Sequence, residues 1–176
     1  NITTKIQIRD KGIVSIPADV IVNAANDGLW QGGGVCGAIF EAAGARELTA
    51  ACNAIGHCDT GNVVKTPAFN LPARYIFHAV GPVWNGGHSG EPSQLYDCYK
   101  NSLELAKAND CHSIVFPLIS SGIFGYPKDG AWRKAIRASV NFITKNPDYD
   151  IEIIFAVPNS GIRSLGEKIK AEILAE

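Results

Sequence analysis

A chain of 176 residues that is 46% hydrophobic and 19% charged is sized for one compact domain with a real core, so a single domain over 1–176 is expected. Sixteen Lys and Arg against seventeen Asp and Glu leave no diffuse basic field to attract nucleic acid or anionic membranes, and any phosphate recognition has to be local. No apolar run approaches the roughly 20 residues that cross a bilayer, and an odd number of cysteines, five, points to a reducing, cytoplasmic setting rather than a disulfide framework.

In chain order, Asn1 to Ile6 alternates and opens a strand expected over Ile2 to Ile8, without the charged and apolar regions of a secretory signal. Val20 to Val22 is a second short apolar strand. Ile39 to Ala43 continues as helix from a glycine loop, and Glu47 to Ile55 is alanine-rich and helical. Val63 to Thr66 and Tyr75 to Val80 are strands, and Gly86-Gly87-His88-Ser89-Gly90 is a surface loop. Leu95, Tyr99, Leu103 and Ala106 recur at helical spacing, as do Trp132, Ile136, Val140 and Ile143, and again Ile162, Leu165, Ile169 and Ile173. Between these stripes lie the strands Ile114 to Phe116 and Ile151 to Val157. Strands apolar on both faces, alternating with helices, predict right-handed crossovers. The expected fold is α/β, a three-layer α/β/α sandwich with a mixed, mostly parallel sheet.

In such a sheet ligands bind beyond the carboxyl ends of the strands. Two segments there carry chemistry. After Val20 to Val22 comes Asn23-Ala24-Ala25-Asn26-Asp27-Gly28-Leu29-Trp30-Gln31-Gly32-Gly33-Gly34-Val35-Cys36-Gly37, where three consecutive glycines admit close backbone approach and the following helix offers unpaired N–H groups to a phosphate. After Val115-Phe116 comes Pro117-Leu118-Ile119-Ser120-Ser121-Gly122-Ile123-Phe124-Gly125, whose amides suit the other side of a diphosphate, with Phe124 offering a flat face to a sugar or base. Either loop alone also reads as turns and N-caps. No lysine lies in them, so neither is the P-loop of nucleoside triphosphatases, and the glycine order is not G-x-G-x-x-G.

Together with Ala42-Ala43-Gly44, Leu71-Pro72-Ala73 and His78-Ala79-Val80-Gly81-Pro82-Val83-Trp84, these segments resemble the macro domain family, in its MacroD-type branch. The resemblance runs in order from about Val20 to Pro127. It implies a cleft for ADP-ribose or an ADP-ribosylated protein and, in many members, hydrolysis of ADP-ribosyl esters on Asp and Glu or of O-acetyl-ADP-ribose, with neither metal nor cofactor. Asn26 would contact the distal ribose, Gly32, Gly33, Gly34 and Val35 would line it, and Phe124 would pack on it. Ser120, Ser121, Gly122, Ile123, Phe124 and Gly125 would hold the diphosphate. Ile13, Ala24, Pro117, Pro158 and Asn159 complete the expected lining, and a monomer is expected.

Three positions depart from the family pattern. Cys36 stands where the branch carries an aspartate that orients the attacking water, and a thiol is no carboxylate base. Its role is to line the ligand, with a catalytic part kept open. Lys11-Gly12-Ile13-Val14 replaces a segment whose aspartate binds adenine, and Val157-Pro158-Asn159 lacks an aromatic over the base. A substrate-assisted route remains, in which a ligand phosphate takes the proton from water held against Asn26, and Asp27 is the nearest carboxylate in sequence. Two classes stay open, a hydrolase and a non-catalytic reader. Cys52, His57 and Cys58 lack a fourth metal ligand, and His78, inside a strand, reads as a core histidine.

Overall fold

The computed structural model describes residues 1–176. Asn1 turns its side chain onto the Thr3 amide at 2.8 Å, and Thr4 Oγ1 donates to the Asn1 carbonyl. The chain therefore opens with one helical turn, α1 (Ile2–Lys5), and the strand expected over Ile2 to Ile8 shrinks to β1 (Ile6–Arg9). The capping asparagine overrides the alternation, since a side chain that accepts a free N–H favours the turn. Only Ile6 and Ile8 keep the period-two burial of a strand.

Five more strands follow, β2 (Val20–Ala25), β3 (Val63–Pro67), β4 (Tyr75–Val80), β5 (Ser113–Phe116) and β6 (Glu152–Ala156). They form one six-stranded sheet in the order β1-β6-β5-β2-β4-β3. Every neighbouring pair is parallel except β3 with β4, and this edge hairpin makes the sheet mixed, as expected. The long helices are α2 (Gly34–Ala43), α3 (Ala45–Ile55), α4 (Glu91–Ala108), α5 (Lys128–Lys145) and α6 (Ser160–Leu174).

Alternation along the strands assigns the layers. Val20 and Val22 join a core with Leu95 and Tyr99 of α4, Trp132 and Ile136 of α5, and Ile169 of α6. Ile21 and Ala25 face the other way, onto Ile39 and Phe40 of α2 and Leu48 of α3. Trp132 is fully enclosed, donates its indole N–H to the Ile162 carbonyl at 3.0 Å and meets Phe155 edge-on at 5.4 Å. That contact ties α5 and α6 to β6, and burying such a side chain is worth about 1.5–3 kcal/mol.

From β2 the chain proceeds to β3 and β4 on one side, while β5, β6 and β1 extend on the other. The direction of winding reverses between β2 and β5. This is the switch point at which an open parallel sheet leaves a crevice beyond its carboxyl ends.

Candidate functional site

A cleft of about 340 Å³ lies at that crevice, within the range of small-ligand sites. It crosses the carboxyl ends of β6, β5, β2 and β4, which contribute Ala156 and Val157, Pro117, Ala24 and Ala25, and Gly81. Three strand spacings of about 4.8 Å make it about 14 Å long, an elongated slot.

In its middle, the loop after β5 is held from behind. Tyr99, fully buried, accepts from the Ile119 amide at 2.9 Å and donates to the Pro117 carbonyl. Burial pushes its phenol far above the usual range, so it stays a neutral donor. The Ser120 carbonyl accepts from the Tyr126 amide and the Phe124 carbonyl from the Trp84 amide, at 2.9 and 2.8 Å. The amides of Ser120, Gly122, Ile123 and Phe124 find no acceptor within the chain. Ser120 itself is 7% exposed, sits at φ +65° and leaves its enclosed hydroxyl without a partner. Free backbone amides in a loop of this kind are the donors that anion-binding concavities use.

At the β2 end the loop Asn26 to Cys36 folds back on itself. Asn26 Nδ2 donates to the Trp30 carbonyl at 2.8 Å and Oδ1 accepts from the Trp30 amide at 3.1 Å. Cys36 Sγ accepts from the Gly32 amide at 3.4 Å and from Asn23 Nδ2 at 3.6 Å. A Cβ on Gly37 would stand 2.8 Å from the Gly32 carbonyl, so only glycine permits this closure. Helix α2 then begins at Gly34 with no side-chain cap, leaving its first amides to the cleft.

Behind Cys36 a polar file runs into the α2–α3 layer. Asn23 Nδ2 faces His78 Nδ1 at 3.1 Å and His78 Nε2 faces Thr66 Oγ1 at 3.0 Å. Burial lowers the imidazole from 6.5 to about 4. His78 is the neutral core histidine expected from its strand. Cys52 packs beside it at 3.8 Å with its thiol pushed up to about 11 by burial, whereas His57 is largely exposed and pairs with Asp59 at 2.7 Å.

Of the expected site residues, Ala24, Gly33, Gly34, Val35, Cys36, Pro117, Ser120, Ser121, Gly122, Ile123, Phe124 and Pro158 line the cleft together. Ile13, Asn26, Asp27, Gly32, Gly125 and Asn159 do not. Ile13 is buried in a 3₁₀ turn, Asn26, Gly32 and Gly125 hydrogen-bond within their own loops, Asp27 is exposed, and Asn159 caps α6 by accepting from the Ile162 amide at 2.9 Å. Reasoning on the sequence missed Ala25, Gly81, Leu118, Ile119, Ala156, Val157 and Ile162. Gly81 had a signal, its place just after β4, while Ile162 reads only as part of a helical stripe.

The macro domain model matches residues 22–135, which spans both loops. An O-acetyl-ADP-ribose deacetylase of Cronobacter turicensis is 47% identical over 147 residues, 81% of this chain and 83% of that protein. The Oceanobacillus iheyensis macrodomain with ADP superposes with a TM-score of 0.92 at 37% identity, covering 99% of this chain and 94% of that one. A Trypanosoma brucei macrodomain in complex with ADP-ribose gives 0.87 at 35% identity, over 93% and 68%. With the sheet order, the two glycine loops and these similarities in agreement, the chain belongs to the macro domain family.

Proposed function

We propose that this chain binds ADP-ribose and hydrolyses acyl esters of its distal ribose, namely O-acetyl-ADP-ribose and ADP-ribosyl esters of protein Asp and Glu. The observation that carries this reading is the set of unspent amides at Ser120, Gly122, Ile123 and Phe124, which share the lining of an elongated cleft with the unpartnered Ser120 hydroxyl. Neutral donors of this kind bind a diphosphate without a lysine or arginine. The relatives named as O-acetyl-ADP-ribose deacetylases and those solved with ADP-ribose support it.

The diphosphate lies over Ser120 to Phe124, the distal ribose against Gly33 to Cys36, and the base on the apolar surface of Val157, Pro158 and Ile162. A flat base suits the apolar end and a polyhydroxylated sugar suits the end rich in free amides. Water attacks the ester carbonyl, and the products are acetate, or a free protein carboxylate, and ADP-ribose. No carboxylate lines the cleft, so a phosphate oxygen of the substrate takes the proton from that water. Asn26 acts by holding the Trp30 backbone, and Cys36 by holding Gly32. Asp27 takes no part. The cleft is complete within one chain, which supports action as a monomer, and the five unpaired thiols support a reducing, cytoplasmic setting.

Calorimetry with ADP-ribose and acetate release from O-acetyl-ADP-ribose test the two halves of this reading. Binding with release is the expected result. Binding without release above buffer would make the protein a reader of ADP-ribose, and no binding would overturn the assignment.

A further inference from the structure

The side chains at the far end of the cleft are silent toward hydrogen bonding. That end is walled by Ala156, Val157, Pro158 and Ile162, none of which has a polar side chain. The backbone donors there are committed elsewhere: the Val157 amide donates to the Arg9 carbonyl at 2.9 Å and the Asn159 amide to the Val157 carbonyl at 2.8 Å. The Ile162 amide is spent on Asn159 Oδ1, and Pro158 has no N–H. The Asn159 side chain is used by the same cap. Arg163 turns its Nε to the Ile8 carbonyl at 3.2 Å, and no aspartate is part of the lining. The polar side chains that do line the cleft, Cys36, Ser120 and Ser121, belong to the β2 and β5 segments.

We infer that this end accepts a purine by shape and burial without reading its exocyclic group, so that the substrate class is purine diphosphate riboses carrying either a 6-amino or a 6-oxo substituent. The inference rests on the proposed placement of the base at the β6 end. A site rejects an isosteric analogue strongly only when its own buried donor or acceptor is left unpaired by the wrong ligand. Here the side chains of the wall offer neither, and the N–H groups of Val157 and Ile162 are spent within the chain. The base contributes affinity through the apolar area it covers, and that area is nearly equal for adenine and hypoxanthine.

The test is calorimetry with three probes: ADP-ribose, inosine diphosphate ribose, and the diphosphate-linked diribose that lacks a base. The expected result is that the two purine probes bind within about threefold of one another and the base-free probe at least about tenfold more weakly. Inosine diphosphate ribose bound more than about threefold weaker than ADP-ribose overturns the inference while leaving ADP-ribose binding intact. A base-free probe that binds as well as ADP-ribose overturns it too, because the base then gains nothing from the wall. Failure of ADP-ribose itself to bind removes the functional reading and this inference together.

Discussion

The Ser120 hydroxyl occupies the space that a side chain on Gly81 would need: a Cβ there would stand 2.2 Å from Ser120 Oγ and 2.5 Å from Ile119 Cγ2. Gly81 follows β4 and Ser120 follows β5, so two strands flanking β2 depend on each other to shape the centre of the cleft. Gly81→Ala is expected to cost about 1–3 kcal/mol through overpacking and to displace the β5 loop. Ser120→Ala should behave differently. It removes an enclosed hydroxyl that has no partner in the chain, so the melting temperature holds or rises while ADP-ribose binds about tenfold more weakly. Thermal melts beside calorimetry check this, and a Ser120→Ala variant that loses stability without losing affinity would show the hydroxyl to be structural.

A buried carboxylate props the same loop from a distance. Glu91, 1% exposed, accepts from the amides of Asn85 at 2.7 Å, Gly87 at 3.0 Å and Ser89 at 2.6 Å. Its own backbone amide, joined by those three, brings the carboxyl down from 4.5 to about 2. The turn it gathers carries Trp84, which donates to the Phe124 carbonyl and packs on Tyr126 at 4.7 Å. Because the folded value is depressed, the contribution of Glu91 is present above pH 4.5 and is lost as pH falls through about 2. Glu91→Gln should therefore melt lower than the parent at neutral pH, with the difference shrinking across that window, and should bind ADP-ribose more weakly. Melting curves at a series of pH values measure the convergence.

Two histidines impose pH dependences of opposite sign. His78, lowered from 6.5 to about 4 by burial, is protonated more readily in the unfolded chain, so stability falls as pH drops from 6.5 through 4, by about 3 kcal/mol in all. His112 is raised by the Asp150 carbonyl and then by the Asp110 carboxylate, which face its two ring nitrogens. Its contribution is full below pH 6.5 and is lost as pH rises through the folded value. The imidazole is half-exposed and Asp110 largely so, and the pair is screened by salt. Urea unfolding as a function of pH should show His112→Ala flattening the slope on the alkaline side alone. A slope that persists in that variant would remove His112 as its source.

The strands were legible because burial on both faces writes itself as a short, mostly apolar run: Tyr75 to Val80, interrupted only by His78, is β4 to the residue. The two loops were legible because glycine and serine after a strand have few physical uses. What sequence spacing could not carry is pairing at a distance. Asn26, expected at the ribose, spends one N–H and one lone pair of its amide on Trp30, and no local pattern reveals that. The need for Gly81 arises from Ser120, a residue on another strand's loop, and Asn1 overrode an alternation by a single capping bond. Ile13, expected at the ligand, is drawn into the core by its 3₁₀ turn.

Cys36 allows the chemistry of the cleft to be rebuilt. Its sulfur lies in the first turn of α2 with two N–H groups, of Gly32 and Asn23, already aimed at it. A carboxylate placed there would meet donors that need no rearrangement, near the positive end of a helix. It would also be the one carboxylate lining the cleft, within reach of the water that attacks the ester. Cys36→Asp is thus expected to raise the turnover of O-acetyl-ADP-ribose by about 10–100-fold through general-base catalysis, with KM nearly unchanged. Cys36→Ala should leave turnover within about threefold of the parent, since the proton passes to the substrate's phosphate and not to sulfur. Steady-state acetate release from the three proteins decides it. If Cys36→Ala abolishes release while still binding ADP-ribose, the thiol takes part in the chemistry and the substrate-assisted route is wrong. If Cys36→Asp gains nothing, the acyl carbonyl does not sit beside the start of α2.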